Sequence, residues 1–594
     1  MLNARLYRTC WLVAGVALVV ALLTLQTPDP GPEAALPSAI DGQGTLVLAG
    51  ELAGIAPERT AGSGPDQAAA RWVQDQLAQV PGDTRVQVQE LEARDDGEPV
   101  QLRNVYLAVP GAAGRPRGGI VIIAPRDTPA GVRAGSSATA VLLRLANASA
   151  TTRHTRPHLF VSTDGSTVGN AGVRWFLERF SAFPITAALV LDAPGEANGD
   201  RIHVWTAGRT DRQALGLGNI ADAAIERAGG RPDGMPSLTG QLMRLAVPQT
   251  FGDQGATIAN GIPAVTLSNR GESPLRQGRE PTEERMALVA NAANNLLGAL
   301  DGATSVPAAD GTVAFAGKFL RPTVARLALL LLALPVLVAT LDIVARRRRQ
   351  NVPLGDGLRA VGVRAIPIGV AVFVAHLLAL GGLLPGAAAG APPLPADARF
   401  GALAGLAIAI SAGAGALAWA GTRRRARRIG APAAAESAAA LAVISALLIA
   451  LWILSPFALA LAVPAAHAAL LAPDANRPWH LPALGALALL PVLVLAVTTA
   501  SILNSNPFFA VWYLVDTVAN GSRGGTGPLV AVLFGAALWS IIALTGARAM
   551  KGGFGGRRTR RRPRRPVRPR PPAPLPRARA AREEHPARWP HATP

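Results

Sequence analysis

An α/β domain with a mixed, mostly parallel sheet flanked by helices, joined to an all-α transmembrane bundle, is the architecture this sequence predicts. Three observations carry it. Short runs rich in β-branched or aromatic residues (Ile120 to Ile123, Leu159 to Ser162, Ala188 to Leu191) alternate with helix-like segments, the pattern of parallel α/β units. Beyond Gly311 the chain repeats apolar stretches of about 20 residues, enough to cross the hydrocarbon of a bilayer. The third is where the charge lies. Of a formal net +20, the segment from Lys551 onward supplies +12, Arg346 to Arg349 supply +4 and the RRRARR run (Arg423 to Arg428) supplies +5, leaving the rest of the chain close to neutral. A soluble nucleic-acid binder carries its basic charge on the folded domain. Here the charge sits beside apolar segments, the positive-inside pattern, so no specific nucleic-acid partner is expected.

In chain order, Arg5 and Arg8 precede an apolar run from Cys10 to Leu25. No small-residue cleavage site follows it, so residues 1–26 read as an uncleaved signal anchor with its amino end inside, favoured over a cleaved signal peptide. Cys10 is the single cysteine; it lacks a lipobox and permits no intrachain disulfide. Residues 27–310 read as an extracytoplasmic domain. Within it, RTAGSGPDQAAARWVQDQL opens with turn residues and then sets Ala69, Val73 and Leu77 on one helical face. Each apolar run between Gly119 and Asp192 ends in polar and glycine residues at the carboxyl edge of its strand, where open α/β sheets place their sites.

Residues 311–550 read as a polytopic region of about seven helices. Six spans are clear, near Pro322 to Ala345, Gly362 to Leu384, Phe400 to Gly421, Ala433 to Ser455, Leu481 to Leu503 and Gly527 to Ala549. Pro456 to Pro473 is shorter and interrupted by Pro464 and His467. Parity counts it as a span. With the amino end inside and the large domain outside, the Arg clusters and the Arg-rich tail all end inside only if this segment crosses. Residues 551–594, rich in Arg and Pro and without apolar periodicity, read as a disordered cytoplasmic tail that sits on anionic lipid head groups. The Ala-, Gly-, Pro- and Arg-heavy composition fits translation from GC-rich DNA, and the expected location is a bacterial plasma membrane.

The motifs at the strand ends come in a recognisable order. PRD (Pro125 to Asp127) follows the first strand and RAGSSATAVLLRLA follows a loop; STDGSTVGNAG follows the second strand, and ALVLD ends in Asp192. FGDQGATIANGIPAVTLS closes the series. In this order the domain resembles the zinc-dependent aminopeptidases of the M28 type. Their pattern is a strand then His-x-Asp, a bridging Asp before a small-residue-rich helix, Glu-Glu-x-Gly, a further Asp after the next strand, and a late Asp-His before Gly-Ile-Pro. The resemblance implies a zinc-exopeptidase-like fold over roughly 260 residues. Position by position it implies lost chemistry. Pro125 stands where the family has His, Ala134 near the bridging Asp, Ser166 and Thr167 at the general base and its neighbour, and Gln254 at the last His. Asp127 and Asp192 alone survive as a possible residual site, with Asp253 family-like in position but read as a loop anchor. Catalytic zinc takes about three protein ligands, so no metal, no zinc cofactor and no catalytic residue are expected. For Asp127 and Asp192 the favoured role is hydrogen bonding to loop amides, or pairing with Arg126 or Arg133.

Other candidates are weaker. Ser136, Ser137, Ser162, Thr163, Ser166 and Thr167 form a hydroxyl-rich rim, but no Gly-x-Ser-x-Gly elbow accompanies it. His154 and His158 precede a strand, at the edge opposite the site; Pro157 breaks any helix that would pair them, and a solvated loop is expected. His203 reads as a strand residue. In the membrane half, Arg326, Asp342, Arg364 and Glu436 lie near span ends, where snorkelling satisfies them, while His376 and His467 lie nearer mid-span.

The reading is therefore a pseudoenzyme, a membrane protein whose peptidase-like domain binds a substrate or partner. Anchor, large outer domain and polytopic carboxyl half form a layout similar to the peptidase-like subunit of the GPI transamidase, which implies recruitment and transfers no substrate. The alternatives are an active membrane-anchored zinc metallopeptidase with altered ligands, and a transporter, for which no internal repeat is visible.

Overall fold

The computed structural model describes residues 2–32, 39–82, 84–95, 98–112, 118–128, 136–196, 200–272, 280–384, 398, 400–475, 479–503, 505–519 and 526–550. The Arg-rich tail read as disordered lies outside them. Helix α1 (Ala4–Leu22) is followed by α2 (Gly42–Ile55), α3 (Gly64–Ala78), β1 (Val86–Asp95) and β2 (Glu98–Val109). Next come β3 (Gly119–Pro125), α4 (Ser137–Thr151), β4 (His158–Thr163), α5 (Ala171–Arg179), β5 (Ile185–Asp192) and β6 (Arg201–Trp205). The outer domain continues through α6 (Leu215–Arg227), β7 (Arg231–Pro232), α7 (Leu238–Ala246), α8 (Asp253–Ala259), β8 (Ala264–Ser268) and α9 (Glu283–Gly302). A short hairpin of β9 (Val313–Phe315) and β10 (Lys318–Leu320) leads into the membrane half.

Helix starts follow local chemistry. The Ser63 hydroxyl accepts from the Asp66 amide at the head of α3, where Pro65 occupies the first turn. Thr282 caps α9 ahead of Glu283 and Glu284, which suit the positive end of the helix dipole.

Eight strands form one sheet in the order β1-β2-β4-β3-β5-β8-β6-β7. Pairs β3–β4, β3–β5, β5–β8 and β6–β7 are parallel, whereas β1–β2, β2–β4 and β6–β8 are antiparallel. This is the mixed, mostly parallel sheet expected. The central strands are buried along their length, which is why they read as continuous apolar runs rather than alternating ones. Helices α2, α4, α6 and α9 pack on one another, and α5 packs with α8. The antiparallel edges were not legible as such: β1 (VQVQELEARD) alternates and is mostly exposed.

The membrane half comprises α10 (Pro322–Arg349), α11 (Leu354–Leu380), α12 (Ala402–Ile429), α13 (Ala433–Leu454), α14 (Leu459–Leu471), α15 (His480–Leu503), α16 (Pro507–Ala519) and α17 (Thr526–Met550). Among the described residues, eight segments are long and apolar enough to cross a membrane: α1, α10 to α13, the stretch Pro456–Asp474 that contains α14, α15 and α17. Helix α11 starts eight residues before the apolar window, with Asp356 and Arg359 paired at 3.2 Å in the added turns. The interrupted segment runs the depth of the bundle. At its start Phe457 packs against Gly311 of the outer domain, and at its end Asp474 accepts a hydrogen bond from the Leu2 amide at 2.7 Å, beside the start of α1. Helix α16, short and apolar, had no counterpart among the sequence-predicted spans.

Four ionisable side chains expected to snorkel are paired instead. Arg364 of α11 bonds Glu436 of α13 and, at 3.0 Å, Ser540 of α17. Asp342 pairs with Arg346 at 2.6 Å and Arg326 with Asp211 of the outer domain at 3.3 Å. His467 lies between the Tyr7 hydroxyl (2.9 Å) and the Leu332 carbonyl (3.0 Å), while His376 meets the Ala519 carbonyl. Low dielectric favours such partners over exposure to lipid.

Candidate functional site at the carboxyl edge of the sheet

Strand β3 delivers Arg126 and Asp127 to the sheet edge, and the Arg126 amide continues the ladder to the Thr163 carbonyl. The chain after β4 turns back sharply through Gly165 and Gly169, both at positive φ, and Asn170 at φ 57°. This turn wraps the Asp127 carboxylate. Oδ1 accepts from the Ser166 amide at 2.8 Å; Oδ2 accepts from the Thr167 amide at 2.8 Å and its hydroxyl at 2.7 Å. Ser166 thus serves Asp127 through its amide, and Thr167 through its amide and its hydroxyl.

Asp192, at the end of β5, is held by Arg270, just beyond β8. Nη2 lies 2.9 Å from Oδ1 and Nε 3.1 Å from Oδ2, with Ser268 Oγ at 3.4 Å from Oδ2. Burial works against the charge of Arg270, yet Asp192 and Glu196 raise its pKa above the ordinary value. The expected partners of Asp192 were loop amides, or Arg126 or Arg133. Arg126 is taken up elsewhere, and Arg133 and Ala134 lie outside the described residues.

Arg126 centres a buried network absent from the sequence reading. Its Nη2 is 2.9 Å from Asp66 and 3.4 Å from Asp164, both with fully buried side chains. Arg59 donates to the Arg126 carbonyl at 2.9 Å and to the Ala56 carbonyl at 2.8 Å. Burial lowers Arg59 to about 10, whereas Asp66 and Asp164 overcome burial and raise Arg126. The Asp164 carboxyl is pushed up to about 8, by burial first, with Arg126 opposing and Asp66 adding.

Asp253 opens α8 and bonds to both ends of the 163–170 turn: Thr163 donates to Oδ2 at 3.2 Å and Asn170 to Oδ1 at 2.5 Å. Burial raises its carboxyl to about 6, against the hydrogen bonds from Asn170 and Thr163. Gln254 is fully buried and bonded on both sides, donating to Thr250 and accepting from Thr266, each at 2.8 Å. Glu272 accepts from Arg244 at 2.5 Å and from the Thr250 hydroxyl. Of the hydroxyl rim, Ser136, Ser137, Ser162 and Thr163 are buried rather than presented.

This edge faces the membrane half. The Phe251 ring lies 6.3 Å from Tyr513 of α16 at 62°, Gln249 accepts from Thr499 of α15 at 3.5 Å, and Asn170 donates to the Phe251 carbonyl. Arg209, which donates to Asn170 and the Gly169 carbonyl, is lowered to about 10, first by burial. Arg209, Arg270 and Glu272 were missed by the sequence reading, although Arg270 and Glu272 stand just past a strand end, where site residues collect.

At the opposite edge, His154 lies in the partly exposed loop before β4, as expected, whereas His158 does not share it. His158 begins β4 and is buried, the two rings stack with centroids 4.1 Å apart, and Asp301 joins them. His203 lies in β6 as expected and meets Asp233.

No family model and no curated protein matches the sequence. Among solved structures, the chain is similar to a glutaminyl cyclase of an Acidobacteriales bacterium (16% identity, 46% of this chain and 98% of that one, TM-score 0.35). It is also similar to an aminopeptidase from Aneurinibacillus sp. strain AM-1 (12%, 45% and 95%, 0.35) and to a zinc aminopeptidase from Bacillus subtilis (12%, 43% and 94%, 0.35). At such scores the likeness carries no weight beyond itself; the fold rests on the sheet order and register above.

Proposed function

We propose that this chain is a multi-pass membrane protein whose outer, peptidase-like domain binds a polypeptide at the membrane surface without cleaving it. One observation carries the reading: of the two carboxylates left at the family's ligand positions, Asp192 is engaged by the two-pronged guanidinium of Arg270. A cation already fills the place where Asp192 would offer charge to a metal. The other aligned side chains, Pro125, Ser166, Thr167 and Gln254, supply no imidazole or carboxylate, and catalytic zinc needs about three protein ligands.

The contacts of Phe251 and Gln249 with α15 and α16 favour a ligand presented at the bilayer. The Arg clusters ending α10 and α12 favour a cytoplasmic position for those ends, for the amino terminus and for the tail, in a bacterial plasma membrane. Anionic lipid heads are the proposed partner of the Arg-rich tail.

The test uses the full chain in lipid nanodiscs, offered aminoacyl-p-nitroanilides and short peptides with and without chelator. The expected result is no chelator-sensitive hydrolysis. Zinc is counted on the His158→Ala variant, so that the histidine pair at the far edge contributes nothing; under about 0.1 equivalent is expected, since the ligands supplying most of the roughly 10–16 kcal/mol of a complete structural site are missing. Hydrolysis that a chelator stops, and that Asp192→Asn abolishes, overturns the reading in favour of an active metallopeptidase.

A further inference from the structure

The edge of the sheet away from Asp127 and Asp192 gathers a second set of residues. Sequence spacing had set His154 and His158 apart as loop residues. The fold brings one ring nitrogen of each and a carboxylate oxygen of Asp301 within 4.8 Å of one another. We infer that His154, His158 and Asp301 form a binding site for a divalent transition-metal ion of the zinc class.

The orientation of the ligands supports this. The Nδ1 of His154 is 2.7 Å from the Arg156 carbonyl, so Nδ1 carries the proton and Nε2 keeps its lone pair, the arrangement usual behind a metal-bound imidazole. His158 is held through Nδ1, 2.7 Å from Ser149 Oγ, a hydroxyl able to accept from it, and its buried Nε2 has no hydrogen-bond partner. That nitrogen lies 3.9 Å from Asp301 Oδ1. Asp301 is in turn oriented by the Thr155 and Arg156 amides at 2.6 to 2.9 Å.

Charge points the same way. Asp301 is the penultimate residue of α9, where the helix dipole disfavours an anion and favours a cation. Two imidazoles and a carboxylate, with a position left for water, suit zinc and its neighbours rather than calcium or magnesium. The rings stack 14° from parallel, so binding at about 2.0–2.2 Å requires the half-buried His154 ring to turn toward the ion. The bound ion would clamp the start of β4 to the end of α9. Hydrolysis is not assigned to it, because among the described residues no further acid or base belongs to the cluster.

The experiment uses the full chain in nanodiscs, stripped with EDTA, titrated with ZnCl2 and desalted before metal analysis and thermal unfolding. Wild type is expected to keep about one zinc per chain and to unfold at a higher temperature with zinc than without. The His154→Ala variant should bind at least about ten-fold more weakly, with a metal-free midpoint equal to wild type because this ring is half exposed. The Asp192→Asn variant should bind as wild type does. Wild type that keeps no zinc, or His154→Ala that keeps as much as wild type, overturns the inference. Zinc lost from Asp192→Asn and kept by His154→Ala overturns both this inference and the non-hydrolytic reading of the other edge.

Discussion

Arg270 holds Asp192 through two separate nitrogens, Nη2 to one carboxylate oxygen and Nε to the other, so the pair is fixed in plane as well as in distance. About a fifth of each side chain is exposed (22% and 18%), which places the pair between a surface bridge worth roughly 0–1 kcal/mol and a buried one whose breakage costs about 3–5 kcal/mol. Arg270→Met is therefore expected to destabilise the chain by about 1–3 kcal/mol, with Asp192→Asn costing a similar amount. The double variant should cost less than the sum. Unfolding midpoints in detergent across this cycle measure the coupling. Additive losses would mean the two residues do not act as a unit.

Asp127 makes a sharper case, because its partners are backbone amides. Asp127→Ala leaves two N–H groups and a hydroxyl in the 166–167 turn without acceptors, at about 1–3 kcal/mol for each buried orphan. A loss of at least about 2 kcal/mol is expected. Asp127→Asn should recover little of it, since the new amide nitrogen would face a donor. If Asn restored full stability, the carboxylate would not be anchoring this turn. Hydrogen exchange of the Ser166 and Thr167 amides reads the same loss locally.

These two residues show what the sequence could and could not convey. Strand positions, buried on both faces, announced themselves through unbroken runs such as Gly119–Pro125, and the apolar spans were legible from length alone. The role of Asp127 as an acceptor for loop amides was also open to anticipation, because polar turns after parallel strands need acceptors. The partner of Asp192 was not. Arg270 lies 78 positions away and reaches Asp192 only through the β5–β8 pairing, while the nearer Arg126 is drawn inward by Asp66 and Asp164. The burial of His158 and its grouping with His154 were missed for a similar reason: Asp301, which completes the cluster, is 147 and 143 residues later. Long-range pairing is invisible to local spacing.

In the membrane half, Arg364, Glu436 and Ser540 tie three helices together at one depth. Glu436→Gln leaves the Arg364 guanidinium without its counter-charge, and a loss of about 3 kcal/mol is expected for removing one partner of a buried pair. Replacing both, as Arg364→Met with Glu436→Leu, removes the charge altogether and should recover most of that loss. Thermal aggregation in detergent ranks the variants. A double variant as unstable as Glu436→Gln would show that the pair is needed for more than neutrality, such as carrying a proton or an ion through the bundle.

Asp253 supplies a pH dependence with a definite sign. Its carboxyl is raised from 3.8 to about 6 in the fold, chiefly by burial. The folded chain thus holds this proton more tightly than the unfolded chain, so the group's stabilisation is complete below about pH 4 and is lost as pH rises through about 6. A shift of about two units corresponds to roughly 3 kcal/mol. Asp164 and Asp222, raised to about 8 and 7, slope the same way over wider windows, and His158, lowered to about 3, slopes the opposite way between about 3 and 6.5. The informative quantity is therefore the difference between wild type and Asp253→Asn, which keeps the size of the side chain and an acceptor for Asn170. Between pH 4 and 7 wild type should lose stability relative to the variant, most steeply near pH 6. A flat difference would mean that Asp253 is ionised throughout, paired with Arg209 more tightly than its burial implies.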